Sequence, residues 1–289
     1  MDLRQHHDPR AFMALASPFY DTDTLRHTVA LTVMARFLTA ERPQKPIMTT
    51  LHDGDQLVGV ALRMPPWPVI ASGLPTDPEL LDVFVEHWLQ HDPELPGVSG
   101  PRENAEALGA AWVRHTGGTT EEVMASRLFR LGELTPPTTS GAGRPATLDD
   151  LDLLIKWRGA FGTEVHGRDR PHDEEAAMAR RMFEVGDHIV IWEDHGEPVS
   201  LAGATAAING MSRVAPVYTP PEHRDHGYGS AATAAVSRLA RDAGADDVIL
   251  FTDLANPTSN SIYQKIGYRP VYDSAELHFA ERTSDTARS

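Results

Sequence analysis

Two stretches in the last third of this chain combine residue types and spacings that could do chemistry. In "VYTPPEHRDHGYGSAATAAVSRLA", residues 217–240, an apolar run passes through a proline-rich turn into a helix-like segment, with Gly227 and Gly229 at the join. The start of a helix leaves its first backbone N–H groups unpaired and carries a partial positive charge, so it attracts anions. Two glycines there let the backbone bend and turn those groups toward a diphosphate, and Arg224 adds a cationic donor just upstream. The same glycines would also serve a plain tight loop into a helix, and spacing alone leaves both readings open.

The second stretch is "NPTSNSIYQKIGYRP". Asn256 suits a helix N-cap, Pro257 the first helical position and Gly267 the residue beyond the end. Asn256, Asn260 and Tyr263 then fall at i, i+4 and i+7, which places them on one helix face. Asn256 also reads as an ordinary cap, and Tyr263 as an aromatic packed under a sheet.

"GYGSAA" fits the dinucleotide fingerprint G-x-G-x-x-A as well, with Asp253 at a later strand end. That fingerprint sets its first glycine tight against the strand. Here residues Thr219 to His226 intervene, and too little chain follows for a six-stranded nucleotide fold. A nicotinamide-dependent oxidoreductase is the weaker alternative on both counts.

Taken together, the two stretches resemble the GNAT N-acetyltransferase family, which transfers acetyl from acetyl-CoA to an amine. The family's R/Q-x-x-G-x-G/A turn is matched by Arg224, Gly227 and Gly229. Its Asn-started helix with a Tyr, followed by Gly-Phe/Tyr, is matched by Asn256, Tyr263, Gly267 and Tyr268. The resemblance runs from about residue 145 to 281. It implies that Val217, Tyr218 and Thr219 run beside the pantetheine arm. The turn of Arg224, Asp225, His226, Gly227, Tyr228, Gly229 and Ser230 would cradle the pyrophosphate. Asn256 would contact the arm or fix the helix start, and Tyr263 would stand near the thioester sulfur as general acid. A thiolate of pKa about 8.5 can accept or share a proton from a phenol of pKa about 10. Glu164 and His166 fall where the family usually builds its acceptor pocket, and Glu193 and Asp253 are further carboxylates, but none is assigned as the base.

The function this implies is acetyl transfer from acetyl-CoA, by direct attack, to a primary amine of a small molecule or peptide. A non-catalytic CoA-binding sensor or regulatory module is the alternative from another class; it would bind the cosubstrate without consuming it.

The elements that must position these residues follow from hydrophobic period and turn chemistry. Residues 132–150, "GELTPPTTSGAGRPATLDD", lack apolar periodicity and read as a linker region. The expected division is a first domain over 1–134, a linker over 135–146 and a catalytic domain over 147–289. The second domain reads ααβββαβαββ, its last two strands being "YRPVYD" and "AELHFA". The first reads similarly, which suggests an internal duplication: two tandem GNAT-like α/β domains, each a mixed, mainly antiparallel sheet flanked by helices. The second would have a splayed central strand pair. In the first, the equivalent turn is "GLPTDP", with no paired glycines and with Asp77 where an anion would be repelled. That half reads as a degenerate copy.

Composition narrows the class. Among 289 residues, 26 are Lys or Arg against 41 Asp or Glu, a formal net charge of −15. Nucleic-acid contacts need a basic face, so a nucleic-acid partner is not expected. There are 0 cysteines, which removes disulfides, thiolate metal sites and Cys nucleophiles. His223 and His226 lack carboxylate company and no H-E-x-x-H occurs, so no metal is expected. No apolar run reaches membrane-spanning length, and "MDLRQHHDPRAFM" lacks the apolar core of a signal peptide. A cytoplasmic location without a membrane partner is the expectation.

Overall fold

The computed structural model describes residues 1–39, 45–167 and 170–280, with the side chains of 165 and 166 set aside. The chain packs as two compact units, one of Met1–Arg127 together with the chain from Tyr272 on, the other of Leu128–Val271.

The first unit starts with β1 (Asp2–His6), α1 (Pro9–Tyr20) and α2 (Thr28–Leu38). A hairpin of β2 (Ile47–Asp53) and β3 (Gln56–Arg63) follows, then β4 (Val69–Ile70), α3 (Pro78–His91), β5 (Gly97–Pro101) and α4 (Arg102–Thr116). β6 (Thr119–Leu131) leads out of it. β4 and β5 pair in parallel, Val69 with Val98 and Ile70 with Ser99. The core gathers Leu81, Phe84, Val85 and Trp88 of α3 with Leu108 and Trp112 of α4, all buried against Val69 and Val98 of the sheet. These are the i, i+3, i+4, i+7 positions of α3, the stripe that a helix on a sheet must bury.

The second unit contains β7 (Ala142–Pro145), α5 (Leu151–His166), α6 (His172–Glu184), β8 (His188–Asp194), β9 (Glu197–Ala204) and β10 (Met211–Tyr218). Then come α7 (Tyr228–Asp242), β11 (Asp247–Asp253), α8 (Pro257–Lys265) and the start of β12 (Tyr268–Ala280), which belongs to the first unit from Tyr272 on. Its sheet carries helices on both faces. Ile189 and Leu201 meet Leu154 and Trp157 of α5 and Ala179 and Met182 of α6 on one side. On the other, Val190, Ala202, Val214 and Leu250 meet Ala232 and Val236 of α7. The residue-by-residue switch of face along β8 and β9 is the period of two that strand geometry imposes.

Three sequence expectations are corrected. The stretch read as the linker 135–146 contains β7, an edge strand whose Ala142–Pro145 pair antiparallel with Glu193–Val190 of β8. β12 is one strand where two were expected. The two were expected to part at Ser274, but Asp273 is held by Arg127 and Ser274 sits in register with Pro101. The division in space also differs from 1–134 and 147–289. Leu128–Leu134 pack with the second unit and the end of β12 with the first. β1 was not foreseen; it pairs along its full length with β2.

Candidate functional site

β10 and β11 pair in parallel only through Met211 with Asp247, Ser212 with Val248 and Arg213 with Ile249, although β10 continues to Tyr218 and β11 to Asp253. On its other edge β10 stays with β9, Val217 beside Ala202 and Tyr218 beside Leu201, across a register shift between Val214 and Val217. Such a shift bends a strand and raises its local twist. β10 thus follows β9 and leaves β11, which opens the expected splay at the C-terminal ends. Ser200 Oγ donates to the Tyr218 carbonyl at 2.9 Å and meets Thr219 Oγ1 at 2.9 Å, fixing the end of β10. The Tyr218 ring lies 6.1 Å from that of Trp157.

Beyond the splay a single 3-10 turn, Pro221–His223, leads to the two-glycine turn. Gly227 is the N-cap of α7 with φ 81°, a conformation that side chains disfavour, and no side chain caps the helix. The first N–H to find a helical carbonyl is that of Ala231, on Gly227 O at 3.0 Å. Tyr228, Gly229 and Ser230 therefore present the N–H groups of an uncapped 15-residue helix. A Cβ on Gly229 would come to 3.1 Å of Thr219 Oγ1, so this position sits close against the strand end.

The turn is held from behind. Tyr228 donates its hydroxyl to Asp194 Oδ2 at 2.6 Å, and Ser140 Oγ donates to the same oxygen at 2.9 Å. Thr139 Oγ1 donates to the His226 carbonyl at 2.7 Å. The His226 ring stacks on Tyr228 with centroids 5.4 Å apart, and its Nδ1 lies 2.6 Å from the Arg224 carbonyl. The Tyr228 hydrogen bond holds the Asp194 carboxyl below the usual range and pushes the Tyr228 phenol up. Asp225 has a positive φ of 66°. Arg224 is engaged: Nη2 meets Glu164 Oε1 at 2.5 Å and Nε donates to the Thr219 carbonyl at 3.0 Å.

α8 carries the second set. Asn256 Oδ1 accepts from Ser259 N at 2.9 Å, a side-chain N-cap with Pro257 at the start of the helix. Asn260 Nδ2 donates to the carbonyls of Asp253 and Asn256 at 2.9 and 2.8 Å, while its Oδ1 is buried without a hydrogen-bond partner among the described residues. Tyr263 packs edge-on to Tyr268, and both Tyr263 and Val217 lie against the core that holds Val214 and Leu250. Burial pushes the Tyr263 phenol up to about 12, so it stays protonated through neutral pH. Gly267 closes the helix with φ 111°, and a Cβ there would overlap the Glu133 carbonyl.

The uncapped start of α7 thus follows β10, while on α8 Asn260 is tied to the end of β11 with its Oδ1 unpaired and Tyr263 packs in the same core as Val217. The other carboxylates are occupied. Glu193 is bonded by Arg144 Nε at 2.8 Å, and Asp253 Oδ1 accepts from Ala255 N at 2.8 Å. The His166 side chain lies outside the described residues. No cluster of three potential metal ligands exists among the described residues, and no helix there is long and apolar enough to cross a membrane. Sequence reasoning missed Thr139, Ser140 and Asp194, because nothing in their local pattern says that they meet the turn.

Residues 151–268 match the family model described as the acetyltransferase (GNAT) family. No curated protein matches the chain. Among solved structures, a GNAT-family acetyltransferase from Colwellia psychrerythraea aligns over 98% of this chain and 100% of its own, with TM-score 0.63 at 10% identity. A GCN5-related N-acetyltransferase from Sphaerobacter thermophilus aligns over 96% and 95%, with TM-score 0.61 at 14% identity. A tandem GNAT protein from the clavulanic acid biosynthesis pathway aligns over 98% and 100%, with TM-score 0.58 at 14% identity. At these identities the likeness is one of fold, and it extends over both units.

Proposed function

Because residues 151–268 form a domain of the GNAT acetyltransferase family, we propose that this protein transfers acetyl from acetyl-CoA to a primary amine of a small molecule or peptide by direct attack. The observation that carries the reading is the uncapped start of α7, the next helix after the strand that parts from its neighbour, reached through the turn Thr219 to Gly227. Bound acetyl-CoA would supply an activated thioester and an anionic diphosphate.

Each residue then has a physical task. The N–H groups of Tyr228, Gly229 and Ser230, aided by the helix dipole, hold the diphosphate. Gly227 and Gly229 keep the backbone bare so that it approaches closely. Val217, Tyr218 and Thr219 offer the free edge of β10 to an extended amide-bearing arm. Asn256 starts α8, and the unpaired Oδ1 of Asn260 supplies an acceptor beside that arm. Tyr263 holds its proton at the sulfur and gives or shares it as the thiolate leaves. Attack requires the neutral amine; no described side chain is assigned the proton that it loses.

Calorimetry with acetyl-CoA on the wild type and on Gly229→Trp tests the site, followed by thiol release across a panel of amines. Binding lost in the variant and an amine-dependent release support the reading. No binding to the wild type overturns it. Binding without release by any amine favours a CoA-binding sensor.

A further inference from the structure

Arg224 is the first residue of the diphosphate turn, yet its guanidinium is spent on a neighbouring carboxylate: Nη2 lies 2.5 Å from Glu164 Oε1, near the end of α5. Nε is meanwhile tied to the Thr219 carbonyl at 3.0 Å, which keeps the side chain beside the turn. Both partners of the ion pair are partly open to solvent, with side-chain exposures of 43% and 47%, so a ligand can reach either. The Tyr218 ring borders the pair, and the Glu164 charge raises its phenol after burial has done so. Glu222, the other carboxylate acting there, belongs to the 3-10 turn. Asp225 acts on the guanidinium itself.

We propose that Glu164 is an internal competitor for the cosubstrate: its carboxylate occupies the Arg224 guanidinium that the diphosphate also needs, and so sets acetyl-CoA affinity. The inference rests on the reading of this turn as the diphosphate site. The Nε/Nη2 edge of this guanidinium is taken by the Thr219 carbonyl and Glu164, so a phosphate that is to use that edge must displace the carboxylate. Binding of the diphosphate exchanges one anion for another, and the ion pair broken is subtracted from the affinity gained. An exposed pair is weak, so the subtraction is small, about two- to fivefold in dissociation constant, and it shrinks in salt. A carboxylate so placed also disfavours anions without a helix N-terminus to hold them, which makes Glu164 a specificity-determining residue for the cosubstrate.

The test measures acetyl-CoA dissociation constants by calorimetry at low and high salt for wild type, Glu164→Gln, Arg224→Gln and the double variant. Acetyl-pantetheine, which lacks the diphosphate, is the control probe. Glu164→Gln is expected to bind acetyl-CoA about two- to fivefold more tightly at low salt, with the gain reduced at high salt and absent for acetyl-pantetheine. In the Arg224→Gln background the same substitution is expected to change nothing. Equal or weaker acetyl-CoA binding by a folded Glu164→Gln protein overturns the competition while leaving the site reading intact. An equal gain with acetyl-pantetheine also overturns it, because the effect would then not pass through the diphosphate. Absence of acetyl-CoA binding in the wild type overturns the site reading, and the competition with it.

Discussion

In the first unit α3 follows β4, as α7 follows β10 in the second, and in both the next strand returns parallel to the one before the helix. The helix starts differ in one respect. Asp77 caps α3 with its own carboxylate, accepting from Glu79 N at 3.0 Å and Leu80 N at 3.2 Å. α7 starts on Gly227 with no side-chain acceptor at all. The strand pairs differ in the same sense. After Ile70 the first unit goes on pairing through Ala71 N to Ser99 O at 2.8 Å, and Gly73 accepts from Val60 N at 2.8 Å. Leu74, His27 and Ser72 are buried there, His27 Nδ1 lies 3.2 Å from Ser72 Oγ, and Asn104 Nδ2 donates to the Leu74 carbonyl at 2.7 Å. One arrangement of strand and helix thus has its polar groups satisfied internally in the first unit and an uncapped helix start in the second, the difference on which the proposed function rests.

The largest expected effect separates α8 from α4, whose helix has no tyrosine. Tyr263→Phe should lower kcat by about 100- to 10,000-fold while acetyl-CoA affinity stays near wild type. A similar loss in KM alone would make Tyr263 a packing residue. Gly229→Trp should weaken acetyl-CoA by about 100-fold by displacing the backbone from the anion. Binding at wild-type strength would mean that the open helix start is not the receptor. In the first unit, Asp77→Ala should cost about 1 kcal/mol and lower Tm by roughly 3 °C. The variant should still bind one acetyl-CoA per chain in calorimetry; a second equivalent would break the comparison.

The smallest effect concerns the brace behind the turn. Asp194 is held below the usual carboxylate range by Tyr228 and Ser140, so its ionised form is favoured in the folded state. The stability this lends is full above the unfolded carboxylate pKa, about 4, and is lost as pH falls through the lower folded value. Tyr228→Phe should therefore lower Tm slightly at neutral pH, and the difference should close as the solution is acidified below that range. A gap that persists at low pH would assign the effect to packing against His226.

The parts legible in the sequence are those decided within a few residues. Asn256, Pro257 and Gly267 mark α8 because a helix end needs a cap, a preset φ and a left-handed exit wherever it stands. Gly227 was visible for the same reason. The Asp194 brace was not, since its ends are joined by a hydrogen bond that no periodicity encodes. Arg224 shows both sides: its place in the turn was legible, and its pairing with Glu164 was not.

The sequence by itself determined most element types, the caps of α8, the glycine turn and the absence of thiol chemistry, all consequences of local backbone preference and composition. Tertiary structure decided the rest. It drew β7 out of a stretch rich in Pro, Gly, Ser and Thr, because an edge strand forms wherever a neighbour offers unpaired N–H and C=O groups. It made one strand of Tyr268–Ala280, because Arg127 and Pro101 supply partners for Asp273 and Ser274. It also chose the anion that Arg224 holds. Pairings across space depend on what lies opposite, and only the folded chain specifies that.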